Sequence, residues 1–313
     1  MSLAGLHIKP YKMKRITKAE KLQIKQLERE HTYVDLLTDA GFKHVFGRQA
    51  NKDILLAFLN AVIPEKNIVD LTYSNTEQVP TSIKSKRSRF DLYCITDDKT
   101  RIIVEIQRYE QSDYIERSMF YVALPLMEQI ESGKPTYSFS PVYSINILDF
   151  TLDELSSSPE VLTPYKFTHP YPNIPVKDRA TIIYIELPKF TKKLEDLSSD
   201  NVLENFYFCL RYIHDLKRCP ESLRLKIIKR LFEASEVAAM DTKEKIQYLR
   251  EMNTERDIYN QMQFAENKGL AKGREEGREE EKLDIARKMR ILGVDVSIII
   301  ESTGLSKEQI EAL

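Results

Sequence analysis

Asp91 and Glu105 are the residues of this sequence best placed to do chemistry. They lie in Ser-Arg-Phe-Asp-Leu-Tyr-Cys-Ile-Thr-Asp-Asp-Lys-Thr-Arg-Ile-Ile-Val-Glu-Ile-Gln, residues 88–107, one on each side of a short polar turn. Phe90, Leu92 and Cys94 alternate with Asp91, Tyr93 and Ile95, while Ile102, Val104 and Ile106 alternate with Ile103, Glu105 and Gln107, the pattern of two strands. A turn centred on Asp98 sets Leu92 opposite Val104, Phe90 opposite Ile106 and Asp91 opposite Glu105. The two apolar sets then share the buried face, since a slip of one residue would set apolar against polar along the ladder. Directly opposed side chains lie roughly 4.5–5.5 Å apart at Cβ, and carboxylates that close repel unless a proton or cation sits between them. Gln107 points the same way as Glu105. This is the geometry of a divalent-metal site on a hairpin. The alternative is a solvent-facing hairpin that happens to carry acids. Tyr93, Ile95 and Ile103 share the acidic face and half cover it, which favours the metal, because an unpaired carboxylate in mid-strand is costly.

The elements that must position this pair are legible in the flanking sequence. Thr17 is a plausible cap for a helix over Lys18–Glu30 within a basic N-terminal arm, residues 1–32. Asp35 to Val62 reads as two short helices split near Gly47, with Pro64 ending the second, and Ile68–Ser74 as a strand. A polar loop carrying Lys84, Lys86, Arg87 and Arg89 leads into the hairpin. After it, Ser112 would cap an amphipathic helix whose stripe is Ile115, Met119, Val122, Leu126 and Ile130, ending at Gly133 with a kink or break at Pro125. Val142–Leu148 and Ala180–Leu187 read as buried strands separated by a proline-laden irregular stretch over Leu155–Pro175. Interspersed helices and strands in this order imply an α/β sandwich with a mixed sheet, followed by a helical C-terminal region from about Val202. The expected divisions are a sheet-bearing domain over 33–200, a helical region over 201–265, a linker over 266–281 and a small helical tail over 282–313.

In that linker Gly269, Gly273 and Gly277 recur every fourth residue within the charged tract Glu266–Glu281. Each glycine costs a helix in water about 1 kcal/mol relative to alanine. The tract is a soft helical linker in preference to a place where two helices approach, although the second reading leaves a homodimer through the C-terminal helices open. Beyond it Lys282–Leu292, Val296–Ser302 and Ser306–Leu313 read as three small helices. A DNA-reading helix-turn-helix is weighed against a packing module. Glu308 and Glu311 sit where a groove-binding helix wants Arg, Lys or Asn, so the packing module is preferred.

At 313 residues and a formal net charge of -1 the chain can bury one large core or two modest ones, and total charge neither demands nor excludes a polyanionic partner. No apolar run approaches the ~20 residues that span a bilayer, so no membrane association is expected. Cys94, Cys209 and Cys219 are scattered without a pairing pattern, which suits a reducing cytoplasm, and the five histidines show no metal-ligand spacing with them.

Several short stretches together carry a resemblance: Asp39-Ala-Gly-Phe42-Lys43 with Phe46-Gly47, Phe58-Leu59-Asn60, Lys86 ahead of Phe90-Asp91, Glu105-Ile-Gln107, Arg117 with Phe120-Tyr121, and Gly133 with Tyr137. In this order the chain resembles the bacterial PD-(D/E)XK nuclease family transposases, the recombination-promoting nuclease group, over roughly residues 33–150 and more weakly in the tail. The resemblance implies a restriction-endonuclease-like αβββαβ core, cleavage of DNA phosphodiester bonds with Mg²⁺ (Mn²⁺ as an alternative), and a metal held by Asp91 and Glu105. Gln107 stands where most of that superfamily has lysine, so it can offer hydrogen bonds but no charge, and Phe90 stands where the superfamily's name has proline. Asp39 is the candidate extra acid, or a helix cap. Lys86 would touch the attacked phosphate or sit on a solvated loop. Arg117 would pair with a phosphate or with surface neighbours, and with Lys84, Lys86, Arg87 and Arg89 it makes up the implied DNA-binding set. "Transposase" is a family label here, since no strand-transfer chemistry can be read from these residues. A catalytically weak, nuclease-like protein acting as an oligomerising or regulatory module is the competing expectation.

Overall fold

The computed structural model describes residues 16–74, 77–78, 88–111, 113–130, 138–167 and 179–313. A helix α1, Lys18–Glu30, opens the described chain behind a reciprocal cap: Thr17 Oγ1 accepts from Glu20 N at 3.1 Å while Glu20 Oε2 accepts from Thr17 N at 2.9 Å. Helices α2 (Asp39–Phe46) and α3 (Lys52–Val62) follow. The first of these starts later than the apolar spacing suggests, because Asp35 Oδ1 takes the N–H of Leu37 and Thr38 Oγ1 takes that of Gly41, which turns the chain before the helix begins. Gly41 is needed in that turn: a Cβ there would collide with the carbonyl oxygen of Asp35.

Six strands form one mixed sheet in the order β1 (Leu71–Tyr73), β4 (Leu92–Thr96), β5 (Arg101–Gln107), β6 (Val142–Leu148), β8 (Ala180–Glu186) and β7 (Leu162–Lys166). The first three are antiparallel, β5, β6 and β8 are parallel, and β7 returns antiparallel at the edge. A separate short pairing joins β2 (Glu77–Gln78) to β3 (Ser88–Arg89). Helix α4 (Tyr114–Met127) connects β5 to β6, so that α2–α3, β1, β4, β5, α4 and β6 give the expected α, three strands, α, strand succession. Strands β6 and β8 are buried along their whole length, as parallel strands covered on both faces must be.

Both faces of the hairpin are covered as well, whereas the alternation points to one buried face. On one side Leu92 approaches Gly47 at the end of α2. There Phe46, Phe58 and Phe206 stack with ring centroids 5.4–6.4 Å apart, the last from helix α5, Val202–Tyr212. Helix α6 (Lys226–Ala234) packs against α2 and α3, and its Phe232 meets the ring of Tyr33 edge-on at 5.1 Å. On the other side of the hairpin Tyr93 and Ile103 pack with Phe90 and Leu124 under α4. The alternation predicts Phe90 beside Leu92; it joins the α4 side instead, 5.7 Å from Tyr93 and 5.4 Å from Tyr121, because the chain bends at Asp91 and the regular strand starts only at Leu92.

Three further expectations are corrected. Helix α4 ends at Met127 with Pro125 in its last turn, and Met119 and Ile130 from the predicted stripe are exposed. Ser112 and Gly133 lie outside the described residues. The stretch 155–175 contains the strand β7, in which Pro164 is tolerated because an edge strand has N–H groups with no ladder partner. The glycine-punctuated tract is helical, as a helical linker would be, but it is not a separate segment: one helix α7, Thr242–Ile291, runs through it and takes in Lys282–Ile291, expected as a helix of its own.

The chain divides into two compact units, Met1–Glu251 and Met252–Leu313. In the second, α8 (Val296–Thr303) and α9 (Lys307–Glu311) pack with the end of α7 around Ala286, Ile299, Leu305 and Ile310. Gly304, at φ 70°, makes the left-handed stop after α8, and Ser306 with Gln309 forms the cap that starts α9. No helix among the described residues is long and apolar enough to cross a membrane.

Candidate active site

The hairpin register pairs Leu92 with Val104, Tyr93 with Ile103 and Cys94 with Ile102, which brings Asp91 and Glu105 to the same level where the ladder ends. The two acids hold each other's segments. Glu105 Oε1 accepts the N–H of Asp91 at 3.2 Å, and Asp91 Oδ2 accepts the N–H of Ile106 at 2.9 Å. The bend at Asp91 makes this exchange available, because the carboxylate takes a strand N–H that a continuing ladder would have given to a backbone carbonyl. Solvent screens the pair little, since the Asp91 side chain is 19% exposed and that of Glu105 5%.

Three further side chains close in from the helices. Asp39, the first residue of α2, and Lys43, one turn on, form an ion pair, and Lys43 Nζ also lies 3.7 Å from Asp91 Oδ1. Thr38 supplies the cap of α2, so Asp39 is not its capping side chain. Asp39 sits close enough to Asp91 to raise its pKa. From the opposite face Arg117 on α4 brings Nη2 to 3.9 Å from Glu105 Oε2. Gln107 does not turn to the acids; its amide donates to the carbonyl of Tyr109 at 2.9 Å. Lys84, Lys86 and Arg87 lie outside the described residues, and Arg89 is placed by its backbone alone, in β3.

Burial drives the electrostatics. It pushes Asp91 up from the usual carboxylate range to about 6, assisted by the charge of Asp39 and opposed by the Ile106 N–H and Lys43. Burial and the neighbouring Asp91 hold Glu105 well above its ordinary value, against the pull of Arg117 and Lys43. The protein therefore holds carboxylates where protons or a cation are wanted.

The donor set suits a small hard divalent ion. The candidate ligands, the carboxylates of Asp91 and Glu105, offer only oxygens, and Mg²⁺ is typically held by one or two carboxylates with substrate and water completing its shell. Among the described residues no group of three His, Cys, Asp or Glu side chains closes into a ready-made cage. An ion here would rest on Asp91 and Glu105 with Asp39 at its margin.

The sequence signalled two of the neighbours only faintly. Lys43 was visible as part of an Asp-to-Lys spacing of four on one helix, a usual pairing distance. Glu251 left no local trace. It reaches from α7, 211 residues away in sequence, and its Oε2 accepts the N–H of Ala40 at 2.6 Å in the first turn of α2. Tyr248, one turn earlier, accepts the N–H of Asp35 on Oη at 2.7 Å. The first turns of α7 thus secure the helix that carries Asp39 and Lys43.

Residues 36–265 match the family model described as PD-(D/E)XK nuclease family transposase. Residues 279–313 match a second, described as Rpn/YhgA-like nuclease family, C-terminal HTH domain. No curated protein and no solved structure matches the chain. The second match corrects the preference for a mere packing module at residues 282–313. Acidic residues in α9 argued against groove reading, yet α8, the Gly304 turn and α9 have the helix-turn-helix form that the family model assigns.

Proposed function

Because the chain belongs to the PD-(D/E)XK nuclease family transposases, we propose that it is a metal-dependent DNA endonuclease whose centre is Asp91 and Glu105. The reciprocal clamp between these two largely enclosed carboxylates and each other's backbone carries the reading. A divalent ion bound there would supply concentrated positive charge to polarise the attacked phosphoryl group. The protein's own part is to hold the ligands. The Asp91 and Ile106 N–H groups orient one oxygen of each acid, Asp39 and Lys43 set the local charge, and the covering by α2 and α4 limits water. In the net reaction a water oxygen forms a bond to phosphorus as one ester P–O bond breaks; the water gives up one proton and the departing oxygen takes one.

Lys84, Lys86, Arg87 and Arg89 stand a few residues before Asp91 in the chain, and their charge suits flanking phosphates, a sequence-independent and salt-sensitive contact. The helix-turn-helix of residues 279–313 gives a second element of a kind that contacts DNA. Three free cysteines, two of them buried, are in keeping with a reducing compartment such as the cytoplasm. Purified protein is expected to nick supercoiled plasmid with Mg²⁺ or Mn²⁺ and to stop doing so on chelation or in Asp91→Ala. Equal nicking by Asp91→Ala, or none by the wild type over a range of metals and salt, overturns this.

Gln107 supports a second reading, a nuclease-like protein that no longer cuts and acts through protein contacts. Its amide is engaged with the Tyr109 carbonyl and brings no charge to the acids. Titration calorimetry separates the two, because a non-catalytic protein need bind neither Mg²⁺ nor Mn²⁺ at the carboxylates.

A further inference from the structure

We propose that Arg117 supplies, from α4, the positive charge that position 107 of the hairpin does not; this rests on the nuclease reading above. The first ground is where Gln107 goes. Its side chain turns to the Tyr109 carbonyl, so even its hydrogen-bonding capacity is directed away from the carboxylates. The second is how Arg117 is held. Nε donates to Tyr121 Oη at 3.0 Å, Nη1 donates to Gln111 Oε1 at 2.6 Å, and the guanidinium lies 5.1 Å from the centre of the Tyr121 ring and 5.9 Å from that of Tyr114. Two neutral acceptors and two aromatic faces fix its plane, leaving Nη2 directed at Glu105 from 3.9 Å.

That distance matters. It exceeds a hydrogen bond, so the guanidinium is near Glu105 without being tied into a close ion pair with it. The other nearby cation, Lys43, is differently placed. It stands between Asp39 and Asp91, where two carboxylates offset its charge. Arg117 faces one acid and keeps the larger share of its charge for whatever enters beside Glu105. An attacked phosphodiester gains negative charge on its non-bridging oxygens as the new P–O bond forms, and a fixed guanidinium stabilises that charge without having to reorganise. Arginine does not give up its proton in this range, so its role is electrostatic and it takes no part as a base.

The test uses the full-length protein. Arg117→Gln keeps a hydrogen-bonding side chain over the tyrosines and loses the charge, and Arg117→Lys keeps the charge. Thermal melts first establish that each folds. In plasmid nicking with Mg²⁺, Arg117→Gln is expected to lose on the order of 100-fold in kcat with KM changed little, the scale for removing one fixed donor to a developing oxyanion. Adding Gln107→Lys to Arg117→Gln is expected to restore at least tenfold of that loss, because it puts a cation on the hairpin itself. Calorimetry with Mn²⁺ alone gives a readout apart from cleavage: without the guanidinium opposing it, Mn²⁺ binds Arg117→Gln several-fold more tightly than wild type, and the added lysine reverses the gain. Full kcat in Arg117→Gln, a loss confined to KM, no rescue by Gln107→Lys, or unchanged Mn²⁺ affinity each overturns the proposal. A wild-type protein that cleaves nothing sinks the nuclease reading and this role together, whereas a cleaving wild type with an unimpaired Arg117→Gln sinks this role alone.

Discussion

Replacing Asp91 by Asn should make the metal-free protein more stable at neutral pH while removing its function. Burial and the charge of Asp39 raise the Asp91 carboxyl from an ordinary 3.8 to about 6. A rise of that size corresponds to about 3 kcal/mol of preference for the protonated form in the folded state. The sign follows from linkage. An acid whose folded pKa lies above its unfolded value contributes its full stability below pH ~3.8 and loses it as pH climbs through ~6, since the unfolded chain ionises first. Wild type is therefore expected to lose up to about 3 kcal/mol between pH 4 and pH 7 that Asp91→Asn does not lose, the share assigned to Asp91 being part of a titration it has in common with Glu105. Urea unfolding in chelator across that range measures it. Millimolar Mg²⁺ at pH 7 should return stability to wild type, since a ligand bound only by the folded state stabilises it by mass action, and should do little for Asp91→Asn. Parallel pH profiles for the two proteins would refute the reasoning, because Asp91 would then be no more strained than a surface acid.

Further expectations concern the elements around the pair. Glu251→Ala removes the acceptor for the Ala40 N–H, a helix-start contact worth about 1 kcal/mol, and should lower the thermal midpoint while leaving Mg²⁺ binding in place. Gly41→Ala forces a Cβ against the Asp35 carbonyl and should cost more than about 2 kcal/mol, or prevent folding, as measured by urea titration. Gly273→Ala meets nothing within 4 Å and should stabilise α7 by about 1 kcal/mol, read as slower amide exchange along that helix. Raising salt from 50 to 200 mM should weaken DNA binding by at least tenfold if the cations before Asp91 contact phosphates, and a flat salt response would count against them.

Much of the candidate site's geometry was legible because its logic is local. The alternation around Asp98 fixed which residues oppose each other, and Leu92 does pair with Val104. Thr17 announced the cap of α1 through its place ahead of the helical run. What stayed hidden depends on contacts between distant segments. Nothing near Asp91 shows that the chain bends there and the regular strand begins only at Leu92, which moves Phe90 to the α4 side. Nothing near Glu251 shows that it closes the start of α2. Strand β7 was concealed by Pro164, which forbids a central strand but permits an edge. The tract of Gly269, Gly273 and Gly277 read as a soft helical linker and is helical, but its continuity with the segments on either side stayed hidden, since pairs such as Lys272–Glu276 and Asp284–Lys288 carry one helix through it.

The most direct measurement is a crystal of the wild-type protein equilibrated with Mn²⁺, with anomalous diffraction locating the ion. A peak within about 2.6 Å of carboxylate oxygens from both Asp91 and Glu105 is expected. Full-occupancy Mn²⁺ elsewhere, with Asp91 and Glu105 still clamped only to each other's backbone, would contradict a metal-dependent centre at this hairpin.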